Sequence, residues 1–281
     1  MAGSNPKIPQ PVAIAVAPNG GRRTKADHPA LPVTTNEIAV TAAACLEAGA
    51  CMIHAHIRDQ QGGHLLDADA YRTTIAAVRA AVGDRLVVQI TSEALGTYKS
   101  AEQMAVVRDV RPEAVSLALR ELVPDASHEA AFADFLAWLR REKVMPQIIL
   151  YAPEEASRFG EMKTRGVIPF NDVPVLYVLG RYTAEQKSSP SDLLPFLAPD
   201  MPRFAHWSVC AFGARENACV TAAALLGGHA RVGFENNLWL TDGSVAPDNA
   251  ALVAAARATL GTCGLATATA AQLRAVWADM V

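Results

Sequence analysis

The sequence predicts an α/β fold, a single (β/α)8 TIM barrel with an extra C-terminal helix, and three observations support this prediction. Short runs rich in β-branched and apolar residues alternate with Ala-rich amphipathic stretches along the chain. Several of these runs are apolar throughout, as strands covered on both faces are. No linker-like segment divides the 281 residues. An open doubly wound sheet would also alternate, but eight consecutive units favour a closed barrel.

Eight candidate strands follow one another along the chain. They span residues 12–16, 51–56, 86–91, 114–119, 147–151, 175–179, 204–210 and 231–235. Helical candidates between them have apolar residues at three- and four-residue spacing, and they include residues 35–47, 68–81, 129–141 and 216–226. Residues 249–280 carry two helical patterns separated around Gly261 and Gly264. One of these would complete the barrel, and the other would be the extra C-terminal helix.

The composition excludes several classes of protein. Hydrophobic residues make up 51% of the chain and charged residues 19%, which is enough apolar material for a large core. The formal charge of −3, without a long Lys/Arg cluster, argues against nucleic-acid binding. Residues 1–10 lack an apolar signal core, and no later run is long and apolar enough to span a membrane. We therefore expect a cytoplasmic protein with no membrane or nucleic-acid partner.

The five cysteines are scattered along the chain without a Cys-x-x-Cys pair. Their odd number and spacing argue against a complete disulfide framework. We expect free thiols. Cys51 and Cys210 lie in apolar runs, and a catalytic thiol there is an alternative that the sequence favours less.

Two histidines near the end of the second predicted strand are the first candidates for chemistry. His54 and His56 are two residues apart, so their side chains face the same side of a strand. Catalytic groups of this barrel collect at the C-terminal ends of the strands. A lone histidine is more often a core residue, but a His-x-His pair at this place suits zinc if a third ligand exists. Glu235 ends the last predicted strand and fits that role, with a surface salt bridge as its ordinary alternative.

A family resemblance rests mainly on two motifs, H-A-H at residues 54–56 and G-x-x-R-V-G-x-E-N-N at residues 228–237. Together they resemble the paired fingerprint of the β-keto acid cleavage enzymes. The segments T-K at 24–25 and H-P-A-x-P at 28–32 are similar to that family's first loop. This resemblance implies one catalytic domain over residues 1–281, in which His54, His56 and Glu235 hold Zn²⁺ and Arg231 is the catalytic arginine.

The resemblance also implies candidate substrate-binding hydroxyls. Thr91 and Ser116, at the third and fourth predicted strands, match positions whose hydroxyls hold substrate in the family, and Ser92 is a further candidate beside Thr91. Ordinary strand-end capping is the alternative for each hydroxyl. We count Asn236 with Arg231 as a catalytic position, although the family often has aspartate there. An amide cannot supply the carboxylate of an Arg–Asp pair, so proton transfer must be arranged differently.

The first loop bears on the substrate. Arg22 stands about where family members that cleave an amino-substituted keto acid have glutamate. A cation there would repel an ammonium group, so we expect a substrate whose distal end is neutral or acidic. Arg22 could instead be solvated. The segment G-G-R-R at residues 20–23 could also cradle a phosphate of coenzyme A.

The reaction implied by the resemblance converts a β-keto acid and acetyl-CoA, the co-substrate, into acetoacetate and a new acyl-CoA. Two alternatives stay open. Metal-dependent hydrolases on similar barrels also carry His-x-His, although usually on the first strand rather than the second. A zinc-binding homologue without turnover is the other, and Asn236 is its main support. The resemblance also suggests a homo-oligomer, a tetramer, with residues 132–139 and the Trp239-Leu240 pair as candidate subunit contacts.

Overall fold

Eight parallel strands close into a barrel in the computed structural model, which describes residues 10–280. Within this range the strands are β1 (Ile14–Val16), β2 (Met52–Ala55), β3 (Ile57–Arg58), β4 (His64–Leu65), β5 (Val87–Thr91), β6 (Ala114–Ala118), β7 (Met145–Leu150), β8 (Val175–Leu179), β9 (Trp207–Ala211) and β10 (His229–Val232). The barrel order is β1-β10-β9-β8-β7-β6-β5-β2, whereas β3 and β4 form a separate hairpin. The predicted barrel is therefore confirmed.

Nine α-helices surround the barrel in the part of the chain from residue 10 to residue 280. They are α1 (Thr35–Ala48), α2 (Ala68–Val82), α3 (Ser100–Val110), α4 (Leu119–Leu122), α5 (Glu129–Glu142), α6 (Pro153–Thr164), α7 (Glu216–Leu225), α8 (Asn249–Thr262) and α9 (Ala270–Ala278). The four helices predicted by range occur as α1, α2, α5 and α7 with nearly the predicted bounds. Shorter 3-10 helices span Gly83–Arg85, Ala126–His128 and Pro190–Leu197.

Local signals fix the helix that delivers the chain to the histidine strand. The Thr34 hydroxyl accepts a hydrogen bond from the Glu37 backbone N–H, and the Glu37 carboxylate accepts one from the Thr34 N–H, which is a capping box that starts α1. Gly49 ends α1 in the left-handed conformation, with φ of 117°. The chain then turns directly into β2, which pairs with both β1 and β5.

The C-terminal helix α9 closes the N-terminal end of the barrel, which we call the bottom. Leu273 and Trp277 of α9 pack there against Met52, Val87 and Met145. Burying each large apolar side chain in this way stabilises the fold by roughly 1.5–3 kcal/mol. The predicted extra helix is therefore a structural cover at the bottom, and it leaves the opposite end, the mouth, open to the loops.

The two strands that lead to the metal-ligand candidates end earlier than the sequence suggested. β10 stops at Val232 because Gly233 has φ of 137°, and a Cβ on Gly233 would lie 2.4 Å from the Ala17 carbonyl oxygen. Glu235 therefore stands in the turn after the strand, not in the strand. β2 stops at Ala55, and His56 follows it immediately.

The sequence prediction was also wrong about one surface. Apart from the partly buried Trp138, the large apolar residues of the 132–139 segment are Phe132, Phe135, Leu136 and Leu139, and all four are fully buried on the inner face of α5. They pack in the main core and offer no subunit contact. Trp239 is 39% exposed, so that candidate contact stays open.

Some expectations about the remainder of the chain can be compared with the structure. All five cysteines are free, and only Cys263 is exposed. Within the described residues, no helix combines the length and hydropathy that crossing a membrane requires. The prediction that residues 1–10 lack a signal core concerns mostly residues 1–9, and these lie outside the described residues.

Candidate metal centre and active site

Three side chains meet at the mouth of the barrel and form what we call the metal triad: His54, His56 and Glu235. The two Nε2 atoms of His54 and His56 are 3.1 Å apart. Glu235 Oε2 lies 3.6 Å from the first and 3.4 Å from the second. Ligands about 2.1 Å from a tetrahedral zinc ion lie about 3.4 Å from one another. The triad therefore has the donor types and the spacing that a zinc ion requires.

The tautomer of His54 is set by a buried amide. His54 Nδ1 lies 2.8 Å from Gln89 Oε1, and Gln89 in turn donates to Gln147 Oε1 at 3.2 Å. An amide oxygen only accepts, so the proton of His54 resides on Nδ1 and the Nε2 lone pair faces Glu235. Burial lowers the pKa of His54 to about 3, which keeps the ring neutral. A neutral, oriented imidazole of this kind is ready to bind a metal.

His56 is fixed through its backbone. Asn19, fully buried after β1, accepts a hydrogen bond from the His56 N–H at 3.3 Å and donates to the His56 carbonyl at 2.9 Å. A third contact, from Asn19 Nδ2 to the Pro32 carbonyl at 3.0 Å, ties this arrangement to the first loop. Asn19 thus holds His56 in place just beyond the end of β2.

Arg231 supports the third member of the triad. Its Nη2 donates to Glu235 Oε1 at 2.8 Å, and both side chains are largely buried. Burial alone would raise the pKa of Glu235, but the neighbouring Arg231 guanidinium outweighs it and holds that pKa well below its usual range. Arg231 and Glu235 therefore form an ion pair inside the barrel mouth. It leaves Glu235 Oε2 free to face the histidines.

Several buried polar atoms around the triad have no hydrogen-bond partner among residues 10–280. They include Glu235 Oε2 and His56 Nδ1. Leaving such atoms unpaired is costly, and a bound cation would compensate the carboxylate oxygen. Glu93 Oε2 stands 3.9 Å from His56 Nδ1, so a small movement would complete a carboxylate–histidine pair of the kind that orients metal ligands.

A pocket, which we call the inner pocket, opens above the triad. Thr91 and Ser116 line it from neighbouring strands, where they are register partners. The Ser116 hydroxyl has no protein partner in the described part of the chain, and the Thr91 hydroxyl accepts from the Glu93 N–H at 3.0 Å. Both hydroxyls are therefore able to donate into the pocket. Ser92 does not line it, because its hydroxyl donates to the Ser116 carbonyl at 2.9 Å.

The opposite wall of the inner pocket is apolar apart from one arginine and the tyrosine Tyr151. Ile149 of β7, Val178 of β8 and Phe212 after β9 supply the apolar surface. Arg181 follows β8 and closes the pocket from above, with its side chain 13% exposed. Because β8 lies four strands from β2 in either direction around the barrel, this wall faces the histidines.

The first loop forms the way out of the inner pocket. An outer pocket shares Glu93, Arg181, Phe212 and Glu235 with the inner one and adds Gly20, Arg22 and Arg23. Arg22 is exposed and Arg23 is half-buried. A surface groove, lined by Arg23, Lys187, Arg215 and Trp239 among others, continues outward. Arg22 therefore lines the outer pocket and not the inner one.

Asn236 is buried beside Arg231 but outside the pocket lining. Its Oδ1 accepts from Arg231 Nη2 at 3.4 Å, and its Nδ2 finds no partner in residues 10–280. The turn that contains it is held from below by Glu216, whose carboxyl accepts from the Gly233 N–H at 3.2 Å and from Asn237 Nδ2 at 3.3 Å. Burial raises the pKa of Glu216 well above its usual value. The turn carrying Glu235 is thus rigidly supported.

Sequence reasoning missed Asn19, Gln89, Glu93 and Arg181. Each lies on or just after a barrel strand, so the rule that chemistry gathers at strand ends could have found Asn19, Glu93 and Arg181. Gln89 belongs to the middle of β5, where only a buried polar residue in an apolar run marks it. The contacts themselves join strands that are far apart in sequence, and no local pattern reports them.

The fold and the site together define a class of protein. A closed (β/α)8 barrel that gathers two histidines, a glutamate and an arginine around one pocket at its mouth is a barrel enzyme with a candidate metal centre. A sequence model of the beta-keto acid cleavage enzymes matches residues 11–278. The chain therefore belongs to the beta-keto acid cleavage enzyme family, as the two motifs suggested.

Individual relatives agree with this assignment. The chain is 28% identical over 247 residues to a 3-keto-5-aminohexanoate cleavage enzyme of Fusobacterium nucleatum, covering 85% of this chain and 88% of that protein. It is 27% identical over 277 residues to a 3-oxoadipate:acetyl-CoA acetyltransferase of Cupriavidus necator, covering 95% and 94%. The apo structure of ObcA superposes with a TM-score of 0.66 at 18% identity, over 89% of this chain and 66% of that one. This chain thus spans just under two thirds of that structure, which supports the fold alone.

Proposed function

We propose that this protein, acting as one catalytic domain, cleaves a β-keto acid with acetyl-CoA and releases acetoacetate and a new acyl-CoA. Atoms balance, because the acyl group of the keto acid passes to CoA sulfur while its carboxymethyl unit joins the acetyl group. The observation that carries the proposal is the meeting of the metal triad with the hydroxyls of Thr91 and Ser116 in one pocket. The chain's place in its family supports the same reaction.

The triad fits zinc in donor type, spacing and support. Two imidazoles and one carboxylate form a common catalytic zinc set, with room left for a substrate. When bound, zinc would act as a Lewis acid toward a substrate ketone. Gln89 and Glu93 would orient the two imidazoles from behind, and Arg231 would keep Glu235 ionised. The unpartnered Glu235 Oε2 is the feature of this chain that zinc would satisfy.

Side chains around the triad would bind the substrate and stabilise charge. The Thr91 and Ser116 hydroxyls would bind and orient the substrate carboxylate, since both are free to donate into the pocket. Arg231 would stabilise negative charge that develops nearby, because it is a buried cation fixed by its contact with Glu235. Asn236 would hold Arg231 by accepting its Nη2 hydrogen bond.

The path for acetyl-CoA would be the outer pocket and the surface groove. These two spaces share Arg23 and Gln186, and the outer pocket opens into the inner one beside Arg181 and Glu235. Lys187 is paired with Glu185 in the groove, and the two remaining cations, Arg23 and Arg215, give it a net positive charge that suits the phosphates of coenzyme A. Arg22 would contact the incoming thioester at the entrance and would not contact the keto acid.

We also infer a cytoplasmic homo-oligomer, a tetramer by resemblance to the family. Leu194 of the 3-10 helix Pro190–Leu197 is 60% exposed, and Leu225 and Leu226 at the end of α7 are 59% and 55% exposed. These two elements pack against each other, and large apolar side chains grouped at a surface commonly mark subunit contacts.

A product assay tests the proposal. Zinc-reconstituted protein is incubated with acetyl-CoA and a panel of β-keto acids, and acetoacetate and the new acyl-CoA are measured by mass spectrometry. We expect both products in equal amounts and their loss after chelation of the metal. Ser116→Ala should raise the KM of the keto acid about tenfold or more, since it removes a charge-assisted hydrogen bond. Ser92→Ala, a buried serine outside the pocket, serves as the matched control and should change that KM much less.

Two other results would contradict the proposal. Release of free CoA and acetate, without acetoacetate, would indicate a hydrolase that uses a metal-bound water. Stoichiometric zinc without any product across the panel would indicate a homologue that binds metal without turnover.

A further inference from the structure

Arg181 occupies a distinctive position at the mouth. It follows β8 after Gly180, a position that requires glycine because its φ is 76° and a Cβ there would lie 2.7 Å from the Lys187 carbonyl oxygen. This turn directs the arginine over the inner pocket, on the wall that faces the histidines. Its side chain is 13% exposed.

The Arg181 guanidinium lacks an acceptor. Among residues 10–280 it donates no hydrogen bond, and its nearest carboxylate oxygen, Glu93 Oε1, is 3.8 Å away. It stacks instead on aromatic rings, 5.1 Å from the centroid of Phe212 and 5.8 Å from that of Tyr182. A largely buried guanidinium without acceptors is costly, and its planar fork matches a carboxylate that arrives as a ligand.

Three other arginines around the inner pocket are already engaged by acceptors of the protein. Arg231, the second arginine of the inner pocket, is bound to Glu235. Arg120 donates to Glu155 at 2.6 Å, and Arg58 donates to backbone carbonyls of the first loop. Arg181 is therefore the guanidinium of the inner pocket that has hydrogen-bonding capacity to spare.

Glu93 does not remove that capacity. Its two oxygens point in different directions, Oε2 to His56 Nδ1 at 3.9 Å and Oε1 to Arg181 at 3.8 Å. Its part in orienting His56, as argued above, occupies one oxygen, and the other is beyond hydrogen-bonding distance from Arg181. The guanidinium thus keeps several N–H groups for a substrate.

We propose that Arg181 binds a carboxylate at the distal end of the keto acid, so that the substrate is a β-keto dicarboxylic acid. This inference rests on the proposed function, because it takes the near carboxylate to lie at Thr91 and Ser116. The methylene groups between the two carboxylates would lie against Ile149, Val178 and Phe212. A substrate with a distal ammonium would meet the Arg181 cation and be repelled.

Two relatives are named for keto acids that differ at the distal end. The Fusobacterium relative is named for a keto acid with an amino group, and the Cupriavidus relative for 3-oxoadipate, a keto dicarboxylic acid. Their identities to this chain, 28% and 27%, do not decide between these substrates. The free guanidinium in the pocket is what favours the dicarboxylic acid here.

The test compares two acids of equal length, 3-oxoadipate and 3-oxohexanoate. The second acid has a methyl group in place of the distal carboxylate of the first. Both kcat/KM and, without acetyl-CoA, the Kd from calorimetry are measured for the native protein and for Arg181→Gln. The native protein should prefer the dicarboxylic acid in both measurements. Arg181→Gln should lower both kcat/KM and the affinity for 3-oxoadipate by about 100-fold or more. For 3-oxohexanoate, both should fall by less than about threefold. The KM of acetyl-CoA should stay within about twofold.

Arg108→Gln is the matched control, because Arg108 also stacks on a phenylalanine ring, 5.2 Å from the centroid of Phe135, but lies outside the pocket. Equal losses for both acids in Arg181→Gln, or a raised KM for acetyl-CoA alone, would overturn the inference. Selective, Arg181-dependent binding of 3-oxoadipate without cleavage would uphold it and reject the proposed function. Cleavage of both acids without any preference for the dicarboxylic acid would uphold the proposed function and overturn the inference.

Discussion

At the scale of single residues, Gly20 controls how closely the first loop approaches the metal triad. Its φ is 59°, and a Cβ at this position would lie 2.6 Å from Glu235 Cγ. Gly20→Ala should therefore displace the Glu235 carboxylate and weaken zinc binding by about 10–100-fold, the usual cost of disturbing a metal ligand's support. Competition with a chromophoric chelator measures the affinity.

The control for this prediction is Gly62→Ala. Gly62 has a comparable φ of 82°, but a Cβ there would meet no atom within 4 Å. Both variants carry the same backbone strain, so only Gly20→Ala should lose zinc affinity. Equal affinities in the two variants would mean that the first loop does not hold Glu235.

Asn236 gives a second prediction at this scale. Its amide accepts a hydrogen bond from Arg231 but cannot take up a proton, whereas a carboxylate could. If proton transfer limits turnover, Asn236→Asp should raise kcat about tenfold or more with little change in the KM of the keto acid. Steady-state kinetics against a fixed, saturating acetyl-CoA concentration would measure this, and a lower kcat would contradict the assignment.

At the scale of elements, α9 covers two buried histidines at the bottom of the barrel. The rings of His206 and His229 are 4.2 Å apart, and Trp277 of α9 lies 6.2 Å from His206. Burial holds the pKa of His206 well below its usual value and lowers that of His229 to about 4. In the unfolded chain these two histidines bind protons below pH about 6.5, whereas in the folded protein they stay neutral until a much lower pH. Its free energy of unfolding should thus fall by about 2 kcal/mol per histidine between pH 7 and 5.

Denaturant unfolding at the two pH values measures this loss. His206→Phe keeps an aromatic ring under α9 and should reduce the loss by about 2 kcal/mol. His128→Asn, at a surface histidine, should keep the full dependence on pH. An unchanged loss in His206→Phe would show that the acid sensitivity arises elsewhere.

Elements and site differed in how far the sequence could predict them. Continuous apolar strands and amphipathic helices are local patterns, so the barrel and α9 followed from them. The β3–β4 hairpin and the 3-10 helix Pro190–Leu197 have no such periodicity and were not predicted. The motifs indicated the metal triad. The positions of Arg181 and Glu93 just after strands could have marked them as candidates, but their roles depend on contacts across the mouth that no local pattern reports. Ser92 shows the converse, since a hydroxyl beside Thr91 can face away from the pocket.

At the scale of the whole molecule, sedimentation should find an assembly of four 29.8 kDa chains. Leu225→Arg would place a charge in the exposed apolar group formed with Leu194 and Leu226, and it should shift the protein to smaller species. A native protein that sediments only as a monomer would contradict the assembly and leave the chemistry of each barrel untouched.

The claim that the whole account depends on is that the triad binds zinc, and elemental analysis of the purified protein tests it most directly. The native chain is compared with His54→Ala, His56→Ala and Glu235→Ala. We predict close to one zinc per native chain and its loss in each variant, since a three-ligand site tolerates no missing donor. A native chain without transition metal, even after reconstitution with zinc, would contradict the claim and leave only the barrel and its family established.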